Sequence, residues 1–254
     1  MFQRLPLLLY LARSELQRRY AGSAGGLLWA LFPPLALMGV MWFALDIGLG
    51  MRAAAGPDYG LALVIGLLPW LAFADAVGDS TSSVIRAPHL VKKTVFPVAL
   101  LPLASVVAAF LVHLALAVIA LAVMAYLGRL SFSALFLPIW ILLGFCLSCG
   151  IALIVSSVNV IVRDMGSLTP FLVTIWFWLT PIVWPLKQVP QDWRWLAALN
   201  PMAIVVEGYR AAIMGADLPF AMTNIIGALA GALLLCLLGS ALFSSLRPTF
   251  ADAL

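Results

Sequence analysis

Charge is scarce in this chain of 254 residues: only 9% are Asp, Glu, Lys or Arg, against 65% that are hydrophobic. Soluble domains carry about 25% charged residues, so the scarcity excludes an ordinary globular fold. Histidine occurs twice and cysteine three times, whereas a metal site wants about four ligands. Cys146, Cys149 and Cys236 all sit inside apolar runs and read as small buried hydrophobes, free of disulfides. The three lysines, Lys92, Lys93 and Lys187, follow Val91, Lys92 and Leu186. A phosphate-cradling G-x-x-x-x-G-K-[ST] loop, which needs Lys after Gly, is therefore absent. There is no catalytic cluster and nothing that points to a nucleic-acid partner. No ATP, Mg or other cofactor is expected on this chain, and any ATP hydrolysis falls to another one.

What is abundant is apolar sequence, in runs of about 20 residues, the length a ~30 Å hydrocarbon core requires. The chain reads as an all-α polytopic membrane protein with one transmembrane domain over 1–254. Six spans are predicted at 27–49, 60–83, 101–127, 133–161, 168–186 and 222–246. Pro33–Pro34 fall near the start of the first, where proline is tolerated. Gly227 and Gly231 give the last a small-xxx-small spacing for close helix approach. The N-terminal apolar patch is only about seven residues, with no small-residue cleavage site before Arg13, and reads as retained.

Lys and Arg in short loops set the orientation. With a cytoplasmic N-terminus, nine basic residues fall inside (Arg4, Arg13, Arg18, Arg19, Arg86, Lys92, Lys93, Arg163, Arg247). Five fall outside (Arg52, Arg129, Lys187, Arg194, Arg210). Both termini are therefore expected in the cytoplasm.

Three segments are not expected to cross. Residues 1–25 begin apolar and turn basic, as suits an amphipathic helix in the membrane interface, with Arg13, Arg18 and Arg19 toward lipid headgroups. Residues 84–98, "VIRAPHLVKKTVFPV", are too polar to cross. Residues 188–217 hold two short apolar pieces interrupted at Asn200–Pro201, which fits a re-entrant hairpin entered from outside. Its Glu207 and Arg210 lie one turn apart and read as a local helix-surface pair.

A few polar groups lie in apolar surroundings. Asp75 and Asp79 share a face of the second span, and intramembrane acids are functional hypotheses by default. The plainer reading has Asp79 wetted near the inner end and Asp75 buried. His113, in the middle of span three, reads as hydrogen-bonded to a neighbouring helix. Trp176, Phe177 and Trp178 are consecutive rings, which point in three directions on a helix. Trp184, Trp193 and Trp195 suit the outer aromatic belt. Arg163 and Asp164 stand in the tight turn between spans four and five. They either cap helix ends and pin the turn, or transmit motion from the cytoplasmic side to span five.

Several motifs occur together and in order. "RSELQRRYAGSAGGLLWALFPP" places Ser23, Gly26, Trp29 and Pro34 in an S-x-x-G-x-x-W-x-x-x-x-P pattern. "GLLPWLAFADAV" and "HLVKKTVFPVALLP" follow, then "NVIVRDMGSLTPFLVTIWFWLTPIVWP" and "LNPMAIVVEGYRAAI". The ordered set resembles the permease subunits of ABC-2 type (type V) polysaccharide exporters, most of all the O-antigen export permeases of lipopolysaccharide biosynthesis. It departs from them at Gly25, where leucine is usual, and in its doubled proline. The resemblance implies a homodimer in the bacterial inner membrane, bound to two cytoplasmic ABC ATPase subunits that hold ATP and Mg. It implies a polyprenyl-diphosphate-linked polysaccharide as substrate. It makes 84–98 a coupling or gate helix (Arg86, His89, Lys92, Lys93, with Arg163 and Asp164 beside it). Trp176, Phe177, Trp178 and Asp75 would line the channel, and 188–217 would close its outer end. Teichoic-acid, nodulation-factor and capsule permeases are alternatives, as is an ABC-2 exporter of a small lipid or drug. A lipid-processing enzyme and an ion-coupled transporter are other classes, and neither finds a residue cluster to support it.

Overall fold

The computed structural model describes residues 4–20, 28–92 and 96–254. Ser23, Gly25, Gly26 and Lys93, named above, lie outside the described residues. The elements are helices: α1 (Arg4–Tyr20), α2 (Leu28–Trp42, continued by a π-helical turn Phe43–Gly48), α3 (Met51–Ala55), α4 (Tyr59–Thr81), α5 (Pro88–Val91) and α6 (Leu100–Tyr126). After them come α7 (Leu137–Ile161), α8 (Met165–Leu179), α9 (Arg194–Leu199), α10 (Pro201–Met214), α11 (Met222–Leu246) and α12 (Phe250–Ala253). Among the described residues, five helical stretches are long and apolar enough to cross a membrane: Leu28–Gly48, Tyr59–Thr81, Leu100–Tyr126, Phe132–Ile161 and Met222–Ala253. The protein is a multi-pass membrane protein.

The expected span over 168–186 is different. Its helix, α8, has 15 residues, about 22 Å at 1.5 Å per residue and short of a ~30 Å core. It stops because Pro181 drives the preceding residue out of the α region; Thr180 is extended, at ψ 136°. The chain nevertheless covers the full length of α4. Gly166 lies beside Asn159, whose Nδ2 donates to the Thr81 carbonyl (2.9 Å) at one end of α4. Val183 accepts from the Tyr59 hydroxyl (2.7 Å) at the other.

Other contacts place the ends of the long helices at the same two levels. Gly60 meets Trp42 and Asp46 from α2, and Arg129 pairs with Asp58 just before α4 (2.8 Å), both at the Tyr59 end. At the Thr81 end, Arg247 reaches the Phe96 carbonyl (3.3 Å) and Phe250 packs with Val84 and Val98.

α4 is the central helix, with most of its side chains buried against α6, α7, α8 and α10. The α7–α11 seam is the closest helix pair. A Cβ on Gly239 would fall 2.5 Å from the Gly150 carbonyl oxygen, so these two glycines let the backbones touch. Gly227 and Gly231, which carried the expected small-residue spacing, have nothing within 4 Å. Close approach is decided by where the partner helix runs, and α7 meets α11 lower down. Pro33 and Pro34 are also displaced from expectation. They lie in the second turn of α2 as described, so the carbonyls of Trp29 and Ala30 receive no helical N–H.

Candidate functional site

The two ends of the bundle each carry a polar assembly. At the Thr81 end, α1 runs onto α6, packing Ala12 and Leu16 against Ala104 and Ala108. Small residues on both helices allow this approach, and it brings the basic end of α1 to the acids of α4. Arg19 bridges two carboxylates, Nη1 to Asp75 Oδ2 (2.8 Å) and Nη2 to Asp79 Oδ2 (2.6 Å). Arg18 donates to Glu15 Oε1 (2.6 Å). Arg86 reaches Glu15 Oε1 (3.2 Å) and Asp79 Oδ2 (3.3 Å), and donates to the Asp79 carbonyl (3.0 Å). Three arginines and three acids therefore form one neutral network joining α1, α4 and the segment leading to α5.

Electrostatics favour the charged form of the two arginines of α1. Burial opposes the charge on Arg19, but the pull of Asp75 and Asp79 and hydrogen bonds to both push its pKa above the ordinary arginine value. A hydrogen bond to Glu15 raises Arg18 in the same way. The burial of the two aspartates is the reverse of the expectation. The Asp75 side chain is 48% exposed and that of Asp79 only 18%, because Asp79 is the one enclosed by cations. Asp75 meets Arg19 and also lines the smaller cavity between α2, α4 and α6. Of the three arginines expected at headgroups, Arg19 is held inside this network, Arg18 is tied to Glu15, and Arg13 stays exposed.

The expected coupling segment is a run of turns and the single helical turn α5. Ile85, Leu90, Val91 and Phe96 pack with Phe243 and Phe250 from the C-terminal helices, leaving His89 and Lys92 exposed. Arg163 and Asp164 are exposed in the α7–α8 turn. Asp164 precedes α8 but its side chain makes no capping bond, and neither residue forms an ion pair among the described residues. The capping expectation fails here. Among the buried polar residues of that motif is Asn159, which clamps the end of α4 and which the sequence reading passed over.

At the Tyr59 end, the break after α8 exposes backbone carbonyls that the helix no longer satisfies. Side chains take nearly all of them. Trp184 Nε1 donates to the Trp178 carbonyl (3.0 Å) and Asn200 Nδ2 to that of Leu179 (3.4 Å). Arg210 donates from Nη1 to Pro181 (2.7 Å), from Nη2 to Ile182 (2.9 Å) and from Nε to Ala62 in α4 (3.0 Å). Nη1 also reaches Glu207 Oε1 (2.7 Å). Tyr59 completes the set at Val183. Arg210 is only 8% exposed, so the Glu207–Arg210 pair is not a helix-surface pair. It is a buried pin joining α4, the break and α10.

Asn200 builds the other half of this lock. Its Oδ1 caps α10 through the N–H groups of Met202 (3.0 Å) and Ala203 (3.4 Å), with Pro201 at the first helical position. The same oxygen accepts from Trp176 Nε1 (2.9 Å). Trp176 packs edge-on against Phe73, fourteen residues into α4 and so about 21 Å from its Tyr59 end. The α9–α10 turn therefore lies deep in the bundle. Residues 202–210 of α10 are all buried, and Tyr209 meets His113 Nε2 (2.6 Å) in the middle of α6, as expected of that histidine. Of the three consecutive rings, Trp176 and Phe177 turn inward onto Phe73 and Trp70, and only Trp178 is exposed, at 57%. It shares an uncovered face of α8 with Phe171, Leu172 and Ile175.

A cavity of about 740 Å³ opens above this lock, and a smaller apolar one of about 280 Å³ lies between α2, α4 and α6. Among the described residues no group of three or more His, Cys, Asp or Glu is placed to hold a metal ion.

A family model described as "ABC-2 type transporter" matches residues 6–214. The O-antigen export system permease protein RfbA of Klebsiella pneumoniae is 29% identical over 250 residues, covering 98% of this chain and 95% of that protein. RfbA of Myxococcus xanthus is 30% identical over 258 residues, covering 100% and 97%. The polysialic acid transport protein KpsM of Escherichia coli is 26% identical over 211 residues, covering 79% and 78%.

Proposed function

The chain belongs to the ABC-2 type transporter family, and from that premise we propose that it is the permease subunit of an ATP-driven exporter of O-antigen polysaccharide. The substrate on this reading is a glycan carried on a polyprenyl diphosphate, moved outward across the bacterial inner membrane. The observation that carries the proposal is full-length similarity to proteins named as O-antigen permeases, against 79% coverage of this chain by KpsM. Capsule export is the second reading, on the strength of that partial match.

In this account the Thr81 end is cytoplasmic, as the Lys and Arg bias requires, and α8 with residues 180–183 makes the sixth crossing. Non-helical backbone is tolerated at membrane depth only where protein or water satisfies it, which the Arg210 lock does. α9 and α10 form the re-entrant hairpin, dipping from outside to Asn200 and returning. Two copies assemble through uncovered apolar faces, with α8 among them, and two ATPase subunits dock at α5 with its exposed His89 and Lys92 and at the Arg163–Asp164 turn. Motion delivered to α5 reaches α1 and α4 through Arg86, since that residue ties the segment to Glu15 and Asp79. Trp178, on the exposed face of α8, is the one ring of the three left to meet a passing glycan.

Co-expression with a candidate ATPase tests the assembly. A stable complex with vanadate-sensitive ATP hydrolysis is expected, with association weakened by Lys92→Ala. A chain that purifies alone and moves substrate on an ion gradient contradicts it.

A further inference from the structure

The 740 Å³ cavity at the Tyr59 end is of the size that small ligands occupy, about 300–1,000 Å³. It lies between the start of α4, residues 182–187, α9, α10 and the 216–224 connection. We propose that it is a carbohydrate-binding site on the exit side of the protein, taking a short stretch of uncharged, hydroxyl-rich glycan. The proposal rests on the export reading above for which side is the exit.

The lining chemistry selects this class. Six charged residues face the cavity: Asp58, Lys187, Arg194, Glu207, Arg210 and Asp217. Three are acids and three are bases, so the cavity has no net attraction for a diphosphate or an acidic polymer. Several of the charges are already committed. Asp58 is paired with Arg129 (2.8 Å), and that hydrogen bond holds its carboxyl below the usual carboxylate range. Arg194 donates to the carbonyls of Val189 (3.0 Å) and Lys187 (3.3 Å), and Arg210 is bound to three carbonyls and Glu207. The uncommitted charged groups are acceptors at Glu207 and Asp217 and one donor, the exposed Lys187 ammonium. Glu207, a buried lining residue, gives Oε1 to Arg210, and Asp217 is exposed. A sugar presents many O–H donors to such acceptors. Trp195 lines the wall and is 56% exposed, offering a flat face for the C–H side of a pyranose. Ala62, Ile182, Leu186 and Phe220 also line the cavity and give apolar ground for pyranose C–H faces. A ligand on Glu207 also acts on the carboxylate that helps hold Arg210 to the break, so occupancy is felt at the lock.

The test is fluorescence anisotropy with a labelled, lipid-free fragment of the cell's own O-polysaccharide and the full chain in complex with its ATPase. Saturable binding is expected, unaffected by excess inorganic pyrophosphate. Trp195→Ala should weaken it about two- to tenfold and Asp217→Asn should weaken it measurably, both with unchanged thermal unfolding because these side chains are exposed. Glu207→Gln, read only if the protein still folds, should weaken it further. Wild-type affinity in both Trp195→Ala and Asp217→Asn, or displacement by pyrophosphate, overturns the site. If gene deletion still abolishes surface polysaccharide in that case, the export reading survives and only the site falls. If deletion leaves surface polysaccharide intact, the export reading itself has failed.

Discussion

Removing Arg210 should unfasten the Tyr59 end of the bundle. In Arg210→Ala three buried acceptors lose their donor, the carbonyls of Pro181 and Ile182 and the Glu207 carboxylate, and the half-buried Ala62 carbonyl in α4 loses the bond it makes beyond the helix. An orphaned buried acceptor costs about 1–3 kcal/mol. The adjoining cavity admits water, so about 1 kcal/mol for each carbonyl and about 2 for the carboxylate are the fair values, about 5 in all. At roughly 2–4 °C per kcal/mol for a chain of this size, thermal unfolding in detergent should shift down by about 10–20 °C. Arg210→Lys keeps a charge for Glu207 but loses the planar fork, and should fall about halfway. Arg210→Met with Glu207→Leu removes both charges together and should recover about 2 kcal/mol relative to the sum of the single changes. An Arg210→Ala protein that unfolds within 2 °C of wild type would refute the reasoning.

Three further outcomes follow from the same contacts. Arg19→Ala leaves Asp75 and Asp79, one turn apart, without their shared cation, and should cost about 2–3 kcal/mol in thermal unfolding at neutral pH; no loss would mean the network is solvated away. Gly239→Ala drives a methyl into the Gly150 carbonyl and should cost about 1–3 kcal/mol, while Gly227→Ala and Gly231→Ala should unfold within about 0.5 kcal/mol of wild type; equal effects would contradict the observed seam. Exchanging the charges (Arg163→Asp with Asp164→Arg) should leave stability within about 0.5 kcal/mol yet reduce ATPase association, and full export in the exchanged protein would make the pair a topology marker.

The sequence reading and the structure agree where hydropathy decides the outcome. Five predicted spans agree with the helices within two residues at every end but one, the start of α7 at Leu137 against the predicted 133, because a long apolar run has one way to satisfy its backbone in lipid. Disagreements arise where partners decide. Span five could not be divided at Thr180 without knowing that Arg210, thirty residues on, supplies the missing donors. The dipeptide Asn200–Pro201 marked an interruption between two apolar pieces, but not that Asn200 would cap α10 and hold Trp176. Asp75 and Asp79 exchanged burial because Glu15 and Arg86 arrive from other elements, and the sequence reading did not single out Glu15. Two motifs read separately, "TPIVWP" and "NPMAIVVEGYR", turn out to be the two sides of one lock. The sequence quoted them both, and only their contact shows why an arginine belongs at the end of the second.

The central claim, export of a lipid-linked O-polysaccharide by this permease with a separate ATPase, is tested most directly in cells by deleting the gene and locating the polymer. The account predicts lipid-linked polysaccharide retained on the cytoplasmic face, none at the surface, and restoration by the wild-type gene only when the ATPase can hydrolyse ATP. Normal surface polysaccharide in the deletion strain, or restoration with a hydrolysis-dead ATPase, would contradict it.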